Sequence, residues 1–211
     1  CSSDLSGVDR ENCYLKVRLT ERMAGRIHFT NISDTYRRIA EVAEYHKLGP
    51  IKCRVLNVQD SRSGSGGKLV DLTSRLSQME QQGALAPKCR DPEIPSLQSL
   101  RVGQIVRGYV HTSGPSGVFV SLSPTVTGRC KLSALSDHFI QNPARVFPPG
   151  MLVPAKVLEI DETSGHVELS LKRSECQHDV GLTLQALKVN RCYAGVVRGI
   201  KDFGIFVELN G

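Results

Sequence analysis

Few residues in this sequence have the types and spacing that metal chemistry requires. Seven cysteines are scattered along the chain, and Cys176 with His178 is the one close Cys/His pair. A structural zinc site needs four ligands, usually in two close pairs, so we expect no metal. The odd number and irregular spacing of the cysteines are typical of free thiols in a reducing compartment.

Catalytic chemistry is not indicated either. The sequence contains no Gly-x-x-x-x-Gly-Lys loop, no Gly-x-Ser-x-Gly and no His-Glu-x-x-His, the motifs that carry phosphate-binding, nucleophilic and metalloprotease chemistry. Asp161 and Glu162 flank a predicted turn, where carboxylates are usually solvated or bond turn amides. We therefore expect a binding module that is not an enzyme and has no cofactor.

Charge and composition point to a folded chain with a mild basic excess. The 211 residues are 40% hydrophobic, with a formal net charge of +6 and a pI near 9.0, which is compatible with a polyanionic partner. The excess is spread thinly, so we expect weak RNA binding by any single segment. No stretch approaches the roughly 18 apolar residues of a membrane span, and we expect no membrane partner.

Five strand-like runs follow one another in the middle of the chain, at 104–112, 118–122, 127–132, 152–160 and 166–171. Each alternates apolar and polar residues or is rich in β-branched residues, and turn signals separate them. Between the third and fourth runs, Pro143 and the Pro148-Pro149 pair leave room for a turn or two of helix. The pattern predicts an all-β fold of five-stranded OB-type Greek-key barrels with a short helix between strands three and four.

Parts of this barrel recur elsewhere in the chain. Aligned without gaps, VGQIVRGYVHTSGPSGVFVSL (102–122) matches VNRCYAGVVRGIKDFGIFVEL (189–209), which pairs Phe119 with Phe206. Upstream, LKVRLTERMAGRIHFTNIS (15–33) matches VFVSLSPTVTGRCKLSALS (118–136), which pairs Gly25 with Gly128. Self-similarity of this kind predicts tandem copies of one unit.

We divide the chain accordingly, and we expect it to be a window on a longer array. The predicted units are a first repeat without its first strand (1–77), a linker (78–99), a complete repeat (100–173), a second linker (174–187) and the opening hairpin of a third repeat (188–211). An apolar stripe over 36–47 predicts a helix in the first repeat, with Ser33 or Asp34 as its N-terminal cap.

The complete copy resembles the S1 RNA-binding domain, an OB-fold module. The resemblance rests on VGQIVRGYV, GVFVSL, VTGRCKLSALS, PGMLVPAKVLEID and GHVELSLK in that order, and on VVRGIKDFGIFVEL in the third copy. Among S1 proteins, the repeats are most similar to the large multi-repeat ribosomal RNA processing factors of the eukaryotic nucleolus. The resemblance implies binding to single-stranded or structured pre-ribosomal RNA and to ribosome assembly factors, in the nucleus and nucleolus, in support of rRNA processing and small-subunit assembly.

The resemblance also implies which residues of the complete copy contact RNA. S1 domains use two aromatic rings around the second strand, a His on the third, and an Asp and an Arg around the turn between strands four and five. In this copy Ser116 replaces the first ring, Lys131 replaces the His and His166 replaces the Arg. The candidates are Phe119, Lys131, Arg129, Asp161 and His166, with Lys156 and Arg107 as further phosphate-binding candidates.

The other two copies carry different parts of this set. The third copy has both rings, Phe203 and Phe206, and the first copy has His28 at the family His position, with Lys16 and Arg18 as further candidates. We set Tyr14 aside, because alternation along a strand turns adjacent side chains to opposite faces.

Structural roles remain open for several of these residues. Phe119 and Phe206 lie in alternating strands and are about as compatible with a barrel core or rim as with base stacking. A lone His such as His28 is more often a hydrogen-bonded surface residue than a ligand-binding one. The loss of a ring in the complete copy also leaves a second function open, in which these repeats serve mainly as a protein-binding scaffold, and the same strand pattern occurs in S1 repeats of other RNA-metabolism and translation proteins.

Overall fold

A computed structural model describes residues 7–19, 23–46, 51–60, 68–79, 91–176, 195–201 and 204–209. Within these ranges strands dominate and form three sheets. None of the helices found there is long and apolar enough to cross a membrane.

The first repeat is a five-stranded sheet with the strand order β1-β2-β3-β5-β4. Its β3 and β5 pair in parallel and the other neighbours are antiparallel. Helix α1 (Ile39–His46) precedes the fourth strand and α2 (Leu76–Met79) follows the fifth. The strands are β1 (Val8–Asp9), β2 (Tyr14–Arg18), β3 (Ala24–His28), β4 (Arg54–Asp60) and β5 (Lys68–Thr73).

The second repeat is a closed barrel with the strand order β10-β8-β7-β6-β9. The parallel β8–β10 pair closes it, and the other pairs are antiparallel. Its strands are β6 (Ile105–Gly114), β7 (Gly117–Ser121), β8 (Thr127–Cys130), β9 (Leu152–Asp161) and β10 (His166–Ser170). This topology confirms the prediction of a five-stranded Greek-key barrel.

Short helices flank the second barrel. Helix α3 (Pro143–Val146) lies between β8 and β9, and α4 (Arg173–Cys176) follows β10. Pro143 begins α3 rather than interrupting it, because the first helical position needs no amide hydrogen. The predicted cap of α1 is wrong for Asp34, whose carboxylate instead accepts a hydrogen bond from the Ser77 amide (3.0 Å) in α2.

A glycine at the same place in both repeats explains part of their similarity. A Cβ added to Gly25 would lie 2.6 Å from Leu72 Cδ1, and one added to Gly128 would collide with Leu169 in the same way. In each repeat the third strand therefore lets a leucine of the parallel fifth strand pack directly over its backbone. The apolar residues around these leucines form the core of each unit.

The chain continues with an antiparallel hairpin of β11 (Gly195–Lys201) and β12 (Gly204–Leu209). These strands lie within the predicted opening hairpin of a third repeat. The boundaries of the five units stay a prediction.

The first two repeats share a buried apolar cluster. The Tyr109 ring from β6 lies 5.3 Å from the Phe29 ring, with an interplanar angle of 67°, and 5.7 Å from the Tyr36 ring. The Tyr109 hydroxyl donates a hydrogen bond to the Arg37 carbonyl oxygen (2.9 Å). Cys13 and Ile39 complete the cluster. The two repeats therefore pack against each other through aromatic rings.

Asp91, in the predicted linker, accepts hydrogen bonds from both repeats at the same interface. Its carboxylate accepts hydrogen bonds from Arg107 Nε (2.7 Å) and from the Tyr36 amide (2.8 Å), and its side chain is 7% exposed. Its carbonyl oxygen accepts a further bond from Arg75, whose guanidinium also pairs with Asp34. This part of the linker is consequently a structural component of the interface.

Candidate nucleic-acid interface

A row of three side chains crosses the outer surface of the second barrel. Phe119 on β7 lies opposite Arg129 on β8, and Arg129 lies opposite Glu168 on β10. Phe119 is half-buried, whereas its neighbours Val118 and Val120 are fully buried in the core. Strand alternation therefore turns the Phe119 ring outward, next to a cation. We call Phe119, Arg129 and Glu168 the outer row.

Lys131 adds a second cation to the outer row and also pairs with its carboxylate. Lys131 Nζ lies 3.3 Å from Glu168 Oε2, and the lysine side chain is 58% exposed. Arg129 Nη2 donates a hydrogen bond to the Ser116 carbonyl oxygen (3.2 Å), which holds the guanidinium beside the β6–β7 turn. The surface thus offers a ring and two cations, and Glu168 offsets part of their charge.

Asp161 and His166 lie at the turn between β9 and β10, at the end of this surface. The Asp161 carboxylate accepts hydrogen bonds from the Ser164 hydroxyl (2.6 Å), the Ser164 amide (3.1 Å) and the Thr163 amide (3.0 Å). These bonds, those from Ser164 first, hold the pKa of Asp161 below its usual value. Asp161 therefore shapes the turn, while His166, paired with it in the ladder, is exposed on the same side of β10 as Glu168.

The predicted rings of the third copy are only partly described. Phe203 lies outside the described residues. Phe206 lies opposite Gly199 in the β11–β12 ladder and is 50% exposed. The RNA contacts assigned to both rings stay predictions.

Packing between the repeats uses two residues that the resemblance assigns to RNA. Arg107 pairs with Asp91 in the interface rather than presenting a free guanidinium. His28 is 3% exposed, and its Nε2 lies 3.0 Å from the Ser121 hydroxyl of the second repeat. The RNA contacts assigned to these two residues stay predictions.

The hydrogen bonds of His28 identify its tautomer. The Thr30 amide donates to Nδ1 (3.3 Å), so Nδ1 is the acceptor and the proton lies on Nε2, which donates to Ser121. Burial, with smaller contributions from nearby Arg26 and His111, lowers the pKa of His28 from 6.5 to about 3. His28 is consequently a neutral structural donor between the repeats.

Tyr14 is a candidate that sequence reasoning rejected. Cys13, with φ of 60°, is outside the regular strand, so alternation begins at Tyr14 and places Tyr14 and Lys16 on one face, opposite His28 and Arg26. Arg26 lies over the Tyr14 ring, 4.3 Å from its centroid. The signal was present in the sequence, because apolar Leu15 and Val17 had to take the other face.

The first repeat has its own counterpart of the outer row. Lys16 lies opposite Arg26 and Arg26 lies opposite Asp71, in the arrangement that Phe119, Arg129 and Glu168 have in the second repeat. Arg26 Nε lies 2.6 Å from Asp71 Oδ1. Both rows have a central arginine and a carboxylate. The remaining position is occupied by Lys16 in the first repeat and by the Phe119 ring in the second.

A cleft of about 480 Å³ lies between the two repeats. Tyr14, Lys16 and Arg26 line it from the first repeat, and His111 and Thr127 line it from the second. Among the described residues, no group of three or more His, Cys, Asp or Glu side chains could hold a metal ion. The side chains of the cleft and of the outer row include aromatic rings, cations and hydrogen-bonding groups.

Comparison with known proteins identifies similar chains. A family model described as the RRP5 S1 domain matches residues 100–171. The chain is 30% identical over 164 residues to rRNA biogenesis protein RRP5 of Arabidopsis thaliana, an alignment that covers 75% of this chain and 8% of that protein. It is 26% identical over 197 residues to rRNA biogenesis protein rrp5 of Schizosaccharomyces pombe, an alignment that covers 92% of this chain and 11% of that protein. The solution structure of GSP13 from Bacillus subtilis aligns with a TM-score of 0.35 at 27% identity, covering 37% of this chain and 60% of that chain.

Proposed function

Because residues 100–171 form an S1 domain of the RRP5 type, we propose that this chain is an RNA-binding segment of a ribosome biogenesis factor. It binds pre-ribosomal RNA and neighbouring assembly factors, and it supports rRNA processing and small-subunit assembly in the nucleus and nucleolus. It acts by binding and not by catalysis. The chain spans 8% and 11% of the length of the two RRP5 relatives.

The outer row is the observation that carries this proposal. An outward Phe119 ring beside Arg129 and Lys131 offers a stacking surface with adjacent cations, the combination that binds single-stranded nucleic acid with little sequence preference. It occurs within the segment that the family model matches.

The same geometry supports weak binding by a single repeat. Glu168 pairs with Lys131, so an RNA phosphate must compete with a carboxylate for this cation. One ring contributes about 1 to 3 kcal/mol of stacking energy. Useful affinity therefore comes from several linked repeats that bind the same strand.

The test is fluorescence anisotropy of a labelled single-stranded RNA with the chain, at about 50 and 200 mM salt. We expect salt-sensitive binding that Phe119→Ala weakens at least fivefold, as the loss of one stacked base predicts. Phe139→Ala is the matched control, because Phe139 is 93% exposed and lies outside the outer row. Absence of binding, or equal effects of the two substitutions, would contradict the proposal.

One observation favours the second candidate function, a protein-binding scaffold. Strand β4 is at the edge of the first sheet, where the corresponding β9 of the second repeat pairs with β6. Val55, Leu56 and Val58 on β4 are 53%, 44% and 52% exposed. An apolar sheet edge is suited to addition of a strand from another segment or protein, and this scaffold role is compatible with RNA binding on the other surface.

A further inference from the structure

The cleft between the first and second repeats has the composition of a separate RNA subsite. We propose that it binds one nucleotide of single-stranded RNA, with the base against Tyr14 and the phosphate near Lys16. This inference rests on the proposed function, since it assigns a further place on the same bound strand. The volume of about 480 Å³ is within the range of about 300 to 1,000 Å³ that ligand pockets usually have.

The Tyr14 ring is held in a fixed orientation. Arg26 covers one face of the ring from 4.3 Å, and Asp71 anchors that guanidinium at 2.6 Å. The His28 ring meets Tyr14 in an edge arrangement, 5.1 Å between centroids at 78°. A ring already held in place loses little conformational freedom when a base stacks on it.

Hydrogen-bonding groups from both repeats line the cleft that contains this ring. Burial raises the pKa of the Tyr14 hydroxyl, so the hydroxyl keeps its proton and can donate to a base or a phosphate. His111 and Thr127 line the cleft from the second repeat. The site is therefore composite, and it depends on the His28–Ser121 contact and the Tyr109 cluster that hold the repeats together.

Charge distinguishes the cleft from an open phosphate-binding surface. The Asp9 carboxylate lines the same cleft, and the Asp71 carboxylate pairs with Arg26. These two negative charges balance the positive charges of Lys16 and Arg26. A site with balanced charges gains little from counterion release. The cleft therefore selects a single nucleotide by stacking and hydrogen bonding, and its contribution to affinity depends less on salt than that of the outer row.

The cleft and the outer row are neighbours along β8. Thr127 in the cleft and Arg129 in the row are both exposed on the same side of β8, alternating with buried Gly128 and Cys130. Two residues of a strand span about 7 Å, so the two places lie within reach of neighbouring nucleotides. A strand bound along β8 past Lys131 and Arg129 continues into the cleft.

The test combines affinity and crosslinking on the chain, with a labelled oligouridine of about 16 nucleotides that carries 4-thiouridine. We expect Tyr14→Leu to weaken binding at least fivefold, Tyr14→Phe, which keeps the ring and loses only the hydroxyl, to weaken it less, and crosslinks to form on peptides containing Tyr14 or His111. His111→Ala is a second variant on the other repeat, which we expect to weaken binding without removing the Tyr14 ring. Thermal unfolding of each variant establishes that it is folded.

The outcomes separate the two proposals. If Tyr14→Leu and His111→Ala bind as the unaltered chain does, while Phe119→Ala weakens binding, the cleft is refuted and the RNA-binding function stands. If Tyr14→Leu does not fold and His111→Ala binds normally without crosslinks in the cleft, the cleft is again refuted. If the unaltered chain binds no RNA, the proposed function fails and the cleft subsite fails with it.

Discussion

His28 Nε2 lies 3.0 Å from the hydroxyl oxygen of Ser121, a residue 93 positions further along the chain. Ser121 in turn donates to the Ser123 carbonyl oxygen (3.1 Å), so a chain of buried hydrogen bonds runs from the first repeat into the second. A position expected to touch RNA thus joins the two units that flank the cleft.

This contact predicts acid sensitivity. The folded His28 stays neutral to about pH 3, whereas the unfolded chain takes up a proton below its ordinary pKa of 6.5. Stability is therefore fully present above about pH 6.5 and falls as the pH drops toward about 3, by up to about 1.4 kcal/mol per pH unit. Urea unfolding at about pH 7 and about pH 5 measures this change, and we expect His28→Gln to reduce it.

A surface histidine is the control for this experiment. His138 is exposed, and we expect His138→Gln to keep the pH dependence of the unaltered chain. An unchanged pH dependence in His28→Gln would show that protonation of His28 is not linked to folding.

The Asp91 carboxylate predicts strong coupling between the repeats. Asp91→Ala leaves Arg107 without its partner and the Tyr36 amide without its acceptor. Removing one partner of a buried ion pair costs about 3 to 5 kcal/mol, and the partial exposure of Arg107 reduces this to about 2 to 3 kcal/mol. We expect denaturant unfolding to give a lower midpoint and two transitions in place of one. Glu162→Ala, at an exposed carboxylate of the β9–β10 turn, should change neither, and the same result for Asp91→Ala would contradict the assignment.

Substitution of Glu168 is predicted to increase the affinity of the chain for RNA. Glu168→Gln removes the carboxylate that pairs with Lys131 at 3.3 Å and frees the lysine for a phosphate. We expect RNA binding at about 50 mM salt to strengthen severalfold and its salt dependence to steepen. Glu41→Gln, at an exposed carboxylate of helix α1 in the first repeat, is the matched control. Equal effects of the two variants would indicate that the gain in RNA affinity comes from the net charge of the chain and not from the outer row.

The backbone conformation of Gly117, two residues before Phe119, requires a glycine. Its φ is 119°, and a Cβ there would collide with the Cys130 carbonyl group of the neighbouring strand. We expect Gly117→Ala to lower the free energy of unfolding by more than about 2 kcal/mol, through strain and loss of packing. Gly114→Ala is in the same turn and meets no atom within 4 Å, so a small effect is expected. Similar losses for both would contradict a specific role of the β7–β8 contact.

Local pattern was sufficient to predict most of the fold. Period-two alternation identified the strands of the complete barrel, and the alignment of Gly25 with Gly128 marked two positions that pack under leucines in the same way. Each of these features depends on neighbours in one strand or on a ladder that recurs in the first two repeats. Alternation also turns Phe119 outward, which requires only that Val118 and Val120 fill the core.

Local pattern failed where the partner lies in another repeat. His28 and Arg107 have the residue types of RNA ligands, and only packing between repeats gives them Ser121 and Asp91 as partners. Tyr14 was misplaced because the positive φ of Cys13 shifts where alternation begins, and Cys13 is buried against the second repeat.

The sequence by itself therefore determined the barrel of the second repeat, its partial copies and its outward ring, since strand periodicity is a local property and the glycine contacts lie within one repeat. The tertiary structure alone decided which polar residues serve as joints between repeats and which line the cleft. The free energy of burying His28 and Asp91 depends on hydrogen-bond partners that come from distant parts of the chain.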